Sequence, residues 1–216
     1  MISIEQILQM PNAAILAEQL KSALEAEQEK RRHFYEIVSD DRRMEFINGE
    51  IVLHSPSPFC EITAFGNLLN LLSTFVGKHN LGEITFGKIL VSLTRNDYEP
   101  DICFFGKAKA AKFKKGQMKF PAPDFIVEVL SGSTAKHDCE TKFQDYAAHG
   151  VAEYWIVDPD KETIEQFVLQ TGEYELLLKT KDGAISSFVL PEFSIPVRAV
   201  FDKKMNLEAL ARLLAQ

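Results

Sequence analysis

Two strand-like segments separated by a helical segment constrain the fold of this chain most. DFIVEVL, residues 124–130, and EYWIVD, residues 153–158, are rich in the β-branched and aromatic residues of buried strands. Between them, Ser133 or Thr134 is an N-cap candidate and Gly150 stands where a helix ends, so one helix of about four turns is predicted. A helix that joins two neighbouring strands makes them parallel, through a right-handed crossover.

Two further strand candidates precede that pair. EITFGKILVSL, residues 83–93, and DICFF, residues 101–105, have strand composition, and with residues 124–130 they can form a meander. A helix is predicted before them over residues 60–80, where apolar residues recur at helical spacing. The order αβββαβ predicts an α/β (α+β) fold with a mixed central sheet flanked by helices.

Tight turns at Asn48-Gly49 and Thr171-Gly172 separate pairs of β-rich runs, the pattern of β-hairpins. The second hairpin lies in the C-terminal part of the chain. A short helix, NLEALARLLAQ, follows it and closes the predicted fold.

The first part of the chain is predicted to be helical. Residues 3–32 have helix-forming composition, and Pro11 interrupts them, so two amphipathic helices are expected. We therefore predict an N-terminal helical extension over residues 1–43 and one folded domain over residues 44–216. The apolar faces of the extension suit a homodimer.

The charge balance limits how the chain can contact nucleic acid. With 24 basic and 31 acidic residues the formal net charge is −7, which argues against bulk attraction to phosphate. Any such contact must be local, and the candidate is a lysine-rich segment between the second and third strands. A solvated loop or helix face is the simpler interpretation of such a charge run. Its lysines are Lys107, Lys109, Lys112, Lys114, Lys115 and Lys119.

Other classes of protein find little support. Cys60, Cys103 and Cys139 are odd in number and widely spaced, so neither a disulfide framework nor a CxxC zinc site is indicated. Serine-hydrolase, HExxH, P-loop and dinucleotide motifs do not occur. The chain shows no signal peptide and no long uninterrupted apolar run, so we expect a cytoplasmic protein outside the membrane.

Glu128 is the residue most in need of explanation, because it interrupts an otherwise apolar strand. The two-residue period places it on one face with Ile126 and Leu130, where an unpartnered carboxylate would be costly. A cation is therefore expected near Glu128, either a metal ion or a basic side chain. Asp101 begins the preceding strand and can come to lie beside Glu128. Two neighbouring carboxylates repel unless a divalent ion lies between them, and oxygen ligands suit Mg²⁺ or Mn²⁺. The pattern indicates phosphoryl-transfer chemistry.

Lys142 supplies a third candidate. It lies at the edge of the apolar stripe of the following helix, formed by Cys139, Phe143, Tyr146 and Ala147. Its ammonium can therefore reach toward the sheet, where it could orient a nucleophilic water or stabilise charge on a phosphate. Asp138, four residues earlier, could hold it in place. A plain surface ion pair is the alternative interpretation.

These residues and segments resemble the PD-(D/E)XK nuclease superfamily and, more narrowly, the Uma-type family of putative restriction endonucleases. The resemblance covers most of residues 44–180. It implies a restriction-endonuclease-like fold in which Asp101, Glu128 and the backbone carbonyl of Val129 bind Mg²⁺ and Lys142 is catalytic. The matching segments are NGEIVLHSPSP, EPDICFF, APDFIVEVLSGSTAKHDCETKFQDYAAHGVAEYWIVDP and the hairpin after it.

The chain departs from the family pattern at two positions. The usual lysine slot, two residues after the acid, holds Leu130, and Lys142 on the next helix matches the displaced lysine of this family. Cys60 stands where the family often has a histidine on the first helix, while Glu61 beside it could be an additional metal ligand.

Two functions follow as hypotheses. The first is a Mg²⁺-dependent or Mn²⁺-dependent endonuclease that hydrolyses DNA. The second is a catalytically inactive module that keeps the nuclease fold and binds nucleic acid or a protein partner, an alternative favoured by Cys60 and the acidic net charge.

Overall fold

A computed structural model describes residues 3–38, 42–131 and 135–215 of the chain. In this part, helical segments alternate with groups of two to five consecutive strands. The helices are α1 Ile4–Leu8, α2 Ala13–Ile37, α3 Phe59–Lys78, α4 Lys107–Ala110, α5 Ala135–Cys139, α6 Thr141–Ala148, α7 Arg198–Phe201 and α8 Lys203–Ala215. The strands are β1 Met44–Ile47, β2 Glu50–Leu53, β3 Gly82–Phe86, β4 Leu90–Ser92, β5 Asp97–Tyr98, β6 Ile102–Gly106, β7 Lys119–Phe120, β8 Phe125–Val129, β9 Glu153–Asp158, β10 Thr163–Gln170, β11 Glu173–Thr180, β12 Ala184–Ser186 and β13 Ser194–Pro196.

The described strands form two main sheets and a small hairpin sheet. A six-stranded mixed sheet has the order β11-β10-β9-β8-β6-β3, and a five-stranded sheet has the order β2-β1-β5-β4-β7. Strands β3, β6 and β8 pair antiparallel, as the predicted meander requires, and β8 pairs parallel with β9. The predicted mixed sheet with flanking helices is therefore confirmed.

Three apolar clusters hold the layers together. On one face of the six-stranded sheet, Phe125, Val127 and Val129 pack in a cluster with buried residues of α3, α7 and α8. On the other face, Ile126 packs with Tyr146 of α6 and with residues of the five-stranded sheet. The alternation predicted for β8 is confirmed, and it places Glu128 on the face that meets α6.

The strand predicted over residues 83–93 is wrong in its length. The chain divides there into β3 and β4, which belong to different sheets. Gly87, with φ +75°, lies between them, in a left-handed conformation that a glycine adopts without steric cost. The segment that looks continuous by composition therefore carries the chain from the six-stranded to the five-stranded sheet.

The long helix predicted between β8 and β9 is also divided. It consists of α5 and α6, which separate at Glu140, where ψ is −74°. Gly150 has φ +74° just after the end of α6, as predicted for the residue beyond a helix C-terminus. The predicted N-cap residues Ser133 and Thr134 lie outside the described residues.

Both predicted tight turns are confirmed, and so are the two N-terminal helices. Asn48-Gly49 joins β1 to β2 and Thr171-Gly172 joins β10 to β11, with positive φ at all four residues. Helices α1 and α2 lie on either side of Pro11. The boundary of the extension at residue 43 stays a prediction.

Helix α3 is the one helix of the described chain that is long and apolar enough to cross a membrane, by length and composition only. Core helices of folded proteins pass the same test. Leu68, Leu71 and Phe75 of α3 are buried in the main apolar cluster, and α3 contacts α7, α8 and β3. The packing accounts for its apolar composition.

Candidate active site

A cleft with a volume of about 690 Å³ opens beside the end of β8 and the start of β6. Its walls come from the β1–β2 hairpin, the loop before α3, the first turns of α3 and the turn after β3. Acidic, basic and apolar side chains all reach it. Among its lining residues are Glu61, Asp101, Glu128 and Val129, the bases Arg42, Arg43, His54 and Lys88, and the apolar residues Leu53, Ile62 and Phe65.

Strand register brings Asp101 and Glu128 into this cleft. Strands β6 and β8 are antiparallel with Ile102 opposite Val127, so Asp101, one residue before Ile102, is level with Glu128. The backbone N–H of Val129 donates a hydrogen bond of 2.8 Å to Asp101 Oδ2. A hydrogen bond to the ionised carboxylate fixes Asp101 beside the end of β8. The two acids predicted as metal ligands thus border the same space.

Lys142 lies behind Glu128, in a cluster of carboxylates. Its Nζ is 3.0 Å from Glu128 Oε1, 2.9 Å from Asp138 Oδ1 and 2.9 Å from Glu45 Oε1. The side chain is only 1% exposed, and Asp138 is buried as well, so the alternative of a surface pair between Asp138 and Lys142 is wrong. Tyr146 adds a hydrogen bond of 2.9 Å from its hydroxyl to Glu128 Oε1.

Burial and charge pull the pKa values of this cluster apart. Burial raises the pKa of Glu128 well above its usual value, and the opposing attraction of Lys142 does not offset it. Burial also disfavours the ionised form of Glu45, yet Lys142 and His54 outweigh this effect and lower its pKa to about 2. Burial opposes the charge of Lys142, but Glu128, Glu45 and Asp138 together raise its pKa well above its usual value. The cluster therefore favours a charged Lys142 and an ionised Glu45, whereas burial opposes the ionised form of Glu128.

Arg43 provides the countercharge for Asp101. Its Nη1 donates a hydrogen bond of 3.0 Å to Asp101 Oδ1, and its Nη2 donates one of 2.5 Å to the backbone carbonyl of Glu99. Its Nε also lies 3.7 Å from Glu99 Oε2. Burial nevertheless raises the pKa of Glu99 to about 7, against the attraction of Arg43. Asp101 is thus held between a guanidinium and a backbone amide.

The first turn of α3 places Glu61, not Cys60, at the cleft. Glu61 is buried and lines the cleft, and burial, reinforced by the nearby charge of Asp101, raises its pKa. Cys60 is exposed, with its Sγ 3.9 Å from Asp160 Oδ1. The predicted additional ligand therefore has the position to act as one.

The lysine-rich segment lies elsewhere. Asp101 precedes the first residue of β6, whereas Lys107 follows its last residue, so the two are about 20 Å apart at roughly 3.4 Å per residue. Lys109 pairs with Asp124 at 2.8 Å, and Lys107, Lys112, Lys114 and Lys115 are exposed. The solvated-surface interpretation matches these positions, and none of these lysines is among the described residues that line the cleft.

The donor set fits a divalent cation by chemistry. Carboxylates of Asp101, Glu128 and Glu61 and the end of β8 at Val129 border one cleft, and oxygen ligands are those that Mg²⁺ and Mn²⁺ prefer. Within the described ranges, no group of three or more His, Cys, Asp or Glu residues is arranged closely enough to hold a metal ion. Arg43 and Lys142, at hydrogen-bonding distance from Asp101 and Glu128, account for the local charge balance instead.

Sequence reasoning missed Glu45, His54 and Arg43. Glu45 is fully buried in β1, accepts a hydrogen bond of 2.9 Å from the backbone N–H of Glu99, and lies 3.2 Å from His54 Nε2. Glu45 carries the same signal as Glu128, since it is a carboxylate within an apolar strand-like run, MEFI. His54 and Arg43 carry no comparable signal, because a single base beside a hairpin is common on protein surfaces.

Comparison with known proteins supports this picture. The sequence matches the model of the family Uma2, described as "Putative restriction endonuclease", over residues 31–198. A search of curated proteins found no match. Among solved structures, the chain is similar to a protein from Anabaena variabilis described as a putative nuclease belonging to DUF820. The TM-score is 0.68 at 18% identity, over 80% of this chain and 96% of that chain, which shows a shared fold.

The family match includes the hairpin with Glu45, the strands with Asp101 and Glu128, and the helix with Lys142. It also begins at Arg31, inside α2. Because the match extends over well more than half of the chain, the protein belongs to the Uma2 family of putative restriction endonucleases.

Proposed function

We propose that the protein is an endonuclease that hydrolyses phosphodiester bonds of DNA with Mg²⁺ or Mn²⁺. The observation that carries this proposal is the register of β6 and β8, which sets Asp101 level with Glu128 in one cleft. Membership of the Uma2 family and the fold shared with the Anabaena protein support nuclease chemistry. A nuclease needs carboxylates at an accessible cleft, and this cleft provides them.

The residues that would hold the metal are Asp101, Glu128 and the backbone carbonyl of Val129, with Glu61 as an additional ligand. A divalent cation bound there would neutralise charge on the scissile phosphate and activate the attacking water. The hydrogen bond from the Val129 N–H keeps one oxygen of Asp101 directed at the end of β8. That contact leaves the other oxygen, now paired with Arg43, as the one to face a ligand.

Lys142 acts in this proposal as a positioning residue. Its ammonium is buried and pairs with Glu128 Oε1, so it holds that carboxylate in one orientation and favours its ionised form. The sequence suggested that Lys142 orients the attacking water or stabilises charge on the phosphate. The described geometry favours an action through Glu128, because the ammonium lies behind that carboxylate and is surrounded by three acidic side chains.

The test is cleavage of supercoiled plasmid by purified protein with Mg²⁺ or Mn²⁺. We expect Asp101→Asn and Glu128→Gln to reduce cleavage by roughly 100-fold or more, because each removes a charged ligand. Glu83→Gln is the matched control, since Glu83 is an exposed acid on β3 of the same sheet. Circular dichroism checks that each variant folds.

Two outcomes would reject the proposal. Cleavage that persists in Glu128→Gln would point to a contaminating nuclease. Absence of both cleavage and metal binding, measured by calorimetric titration with Mn²⁺, would favour the inactive binding module instead.

A further inference from the structure

Four large apolar side chains are exposed on the chain segments that form the carboxylate cleft. Phe59 begins α3 and is 83% exposed, Ile62 one turn later is 55% exposed, and both come from the helix that carries Glu61. Phe86, 53% exposed, ends β3, and Leu53, 54% exposed, ends β2. We call this set the apolar rim. Leu53 and Ile62 line the cleft, whereas Phe59 and Phe86 lie beside it in the chain, Phe59 between the lining residues Ser57 and Glu61 and Phe86 directly before the lining residue Gly87. Exposed apolar side chains grouped around one cleft in this way differ from scattered surface residues.

The rim is continuous with the candidate active site. Leu53 and Ile62 line the cleft themselves, together with Phe65, whose ring lies 6.4 Å from the ring of Phe86. Gly87, directly after Phe86, also lines the cleft, and its N–H donates to the carbonyl of Asp101 at 3.3 Å. A ligand in the cleft therefore meets Leu53 and Ile62 directly, and Phe59 and Phe86 lie on the adjoining parts of the same segments.

Cations stand beside the rim. Arg42 and Lys88 line the same cleft, and both are exposed. Two exposed bases can contact the phosphates on either side of a scissile bond, but they provide far fewer contacts than proteins that hold a long duplex by charge. The net charge of −7 adds no bulk attraction for a polyanion. Affinity must come largely from uncharged contacts.

From this combination we infer that the cleft binds DNA with unpaired bases, which stack on Phe59 and Phe86 while the flanking phosphates contact Arg42 and Lys88. The inference rests on the proposed function and specifies the form of its substrate. Aromatic rings bind single-stranded nucleic acid by stacking, with little dependence on sequence, because every base has a π-face. A regular duplex keeps its bases paired and stacked inside, so it cannot use exposed rings in this way.

Binding is measured by fluorescence anisotropy with labelled oligonucleotides in EDTA, so that no cleavage occurs and the result does not depend on catalysis. Three probes of one sequence are compared: a single strand, a duplex, and a duplex with an unpaired central bubble. We expect the single strand and the bubble to bind tighter than the duplex. Phe59→Ala and Phe86→Ala should each weaken single-strand binding by about fivefold or more.

Phe188 provides the matched control. It is 60% exposed in the loop between β12 and β13, and no described residue of that loop lines the cleft, so Phe188→Ala should leave binding unchanged. Phe59→Leu keeps an apolar side chain without a ring. It should lose most of the affinity if stacking is the contact, and little if burial of apolar surface is.

The inference is overturned by any of three results: no DNA binding by the unmodified protein, a preference for the duplex, or rim variants that bind as Phe188→Ala does. A second copy of the chain could also bind the apolar rim, and light scattering measures whether a dimer forms there. If Phe59→Ala and Phe86→Ala dissociate a dimer and leave DNA binding intact, the rim is a subunit interface. Loss of cleavage in Glu128→Gln with unchanged binding in EDTA separates this inference from the proposed catalytic role.

Discussion

One ammonium group holds three carboxylates together beside the cleft. Lys142 pairs with Glu45, Glu128 and Asp138, yet burial, reinforced by the neighbouring acids, still raises the pKa of Glu128. A divalent cation would change that balance, because it favours the ionised form of every carboxylate it binds. At the scale of single residues, the neighbours of the two proposed ligands therefore decide how strongly a metal binds.

Arg43 is the first of these neighbours. Its guanidinium occupies one oxygen of Asp101, so it competes with a cation for that oxygen. We expect Arg43→Gln to bind Mn²⁺ more tightly than the unmodified protein in calorimetric titration. In EDTA the same variant should be less stable by about 1–3 kcal/mol, because the carbonyl of Glu99 and the carboxylate of Asp101 lose their partner.

Arg42→Gln serves as the control, since Arg42 is the exposed neighbour on the same cleft. It should change neither metal affinity nor stability measurably. Weaker Mn²⁺ binding in Arg43→Gln would mean that Arg43 positions Asp101 for the metal rather than competing with it.

The lowered pKa of Glu45 predicts how the stability of the fold changes in acid. Its pKa is about 4.5 in the unfolded chain and about 2 in the fold, so its ionised form stabilises the fold above pH 4.5. That contribution is lost as the pH falls from about 4.5 to about 2. The stability difference between the unmodified protein and Glu45→Gln should therefore be largest at neutral pH and shrink through this window, as urea unfolding at several pH values would measure. A difference that is independent of pH would contradict the assignment.

At the scale of elements, composition predicted where strands and helices occur better than where they break. Residues 83–93 read as one strand because Ile, Val and Phe recur throughout, while the break depends on a single glycine, Gly87, in a left-handed conformation. The division at Glu140 has no comparable signal, because Glu is a good helix former. Pairing partners decide such breaks, and they are not readable from local composition.

Buried acids show how far the site itself could be predicted. Glu128 was found because a carboxylate in an apolar strand needs a cation, and Lys142 provides one. Glu153 has the same signal at the start of β9, but four hydrogen bonds from neutral donors satisfy it, from Trp155, Gln166, Ser187 and the backbone N–H of Val189. The same sequence pattern thus marks a structural acid as well as a candidate ligand, and only tertiary contacts separate them.

A substitution at Gly82 tests how closely β3 approaches β6, because the backbone of β6 lies directly against this glycine. A Cβ at this position would lie 2.1 Å from the backbone carbonyl oxygen of Phe105, and its φ is +153°. We expect Gly82→Ala to destabilise the protein by about 2 kcal/mol or more, because backbone atoms must move. Gly66→Ala in α3 is the matched change, since a Cβ there meets nothing within 4 Å. It should stabilise by up to about 1 kcal/mol in denaturant unfolding. Equal effects of the two changes would refute this account.

At the scale of the whole molecule, the C-terminal half of α2 packs on the five-stranded sheet through an ion pair, a hydrogen bond and an aromatic contact. Arg31 Nε lies 2.5 Å from Asp97 Oδ2, and the Tyr35 hydroxyl donates to Asp97 at 2.9 Å. Phe34 is fully buried against Phe46. The N-terminal half differs, because Ile15 and Leu20 are each 61% exposed. The two halves of one helix therefore have different surroundings in the described chain.

This difference can be tested by truncation. A chain that begins at Glu27 keeps the contacts to Asp97 and should unfold within about 2 °C of the full chain, since little buried surface is lost. Arg31→Ala should lower stability by about 2 kcal/mol or more, because it leaves the buried Asp97 without its cation. Light scattering of the shortened chain also tests the predicted homodimer. If the N-terminal faces form it, the shortened chain is monomeric.

Lys142 belongs to a helix, yet its ammonium joins the two sheets. It pairs with Glu45 of β1 in the five-stranded sheet and with Glu128 of β8 in the six-stranded sheet. Local opening of one sheet would break one ion pair of Lys142 while its other charged partners stay buried, which costs several kcal/mol. Neither sheet can therefore open locally without the other, so amide hydrogens of β1 and β8 should exchange with solvent deuterium in one concerted event.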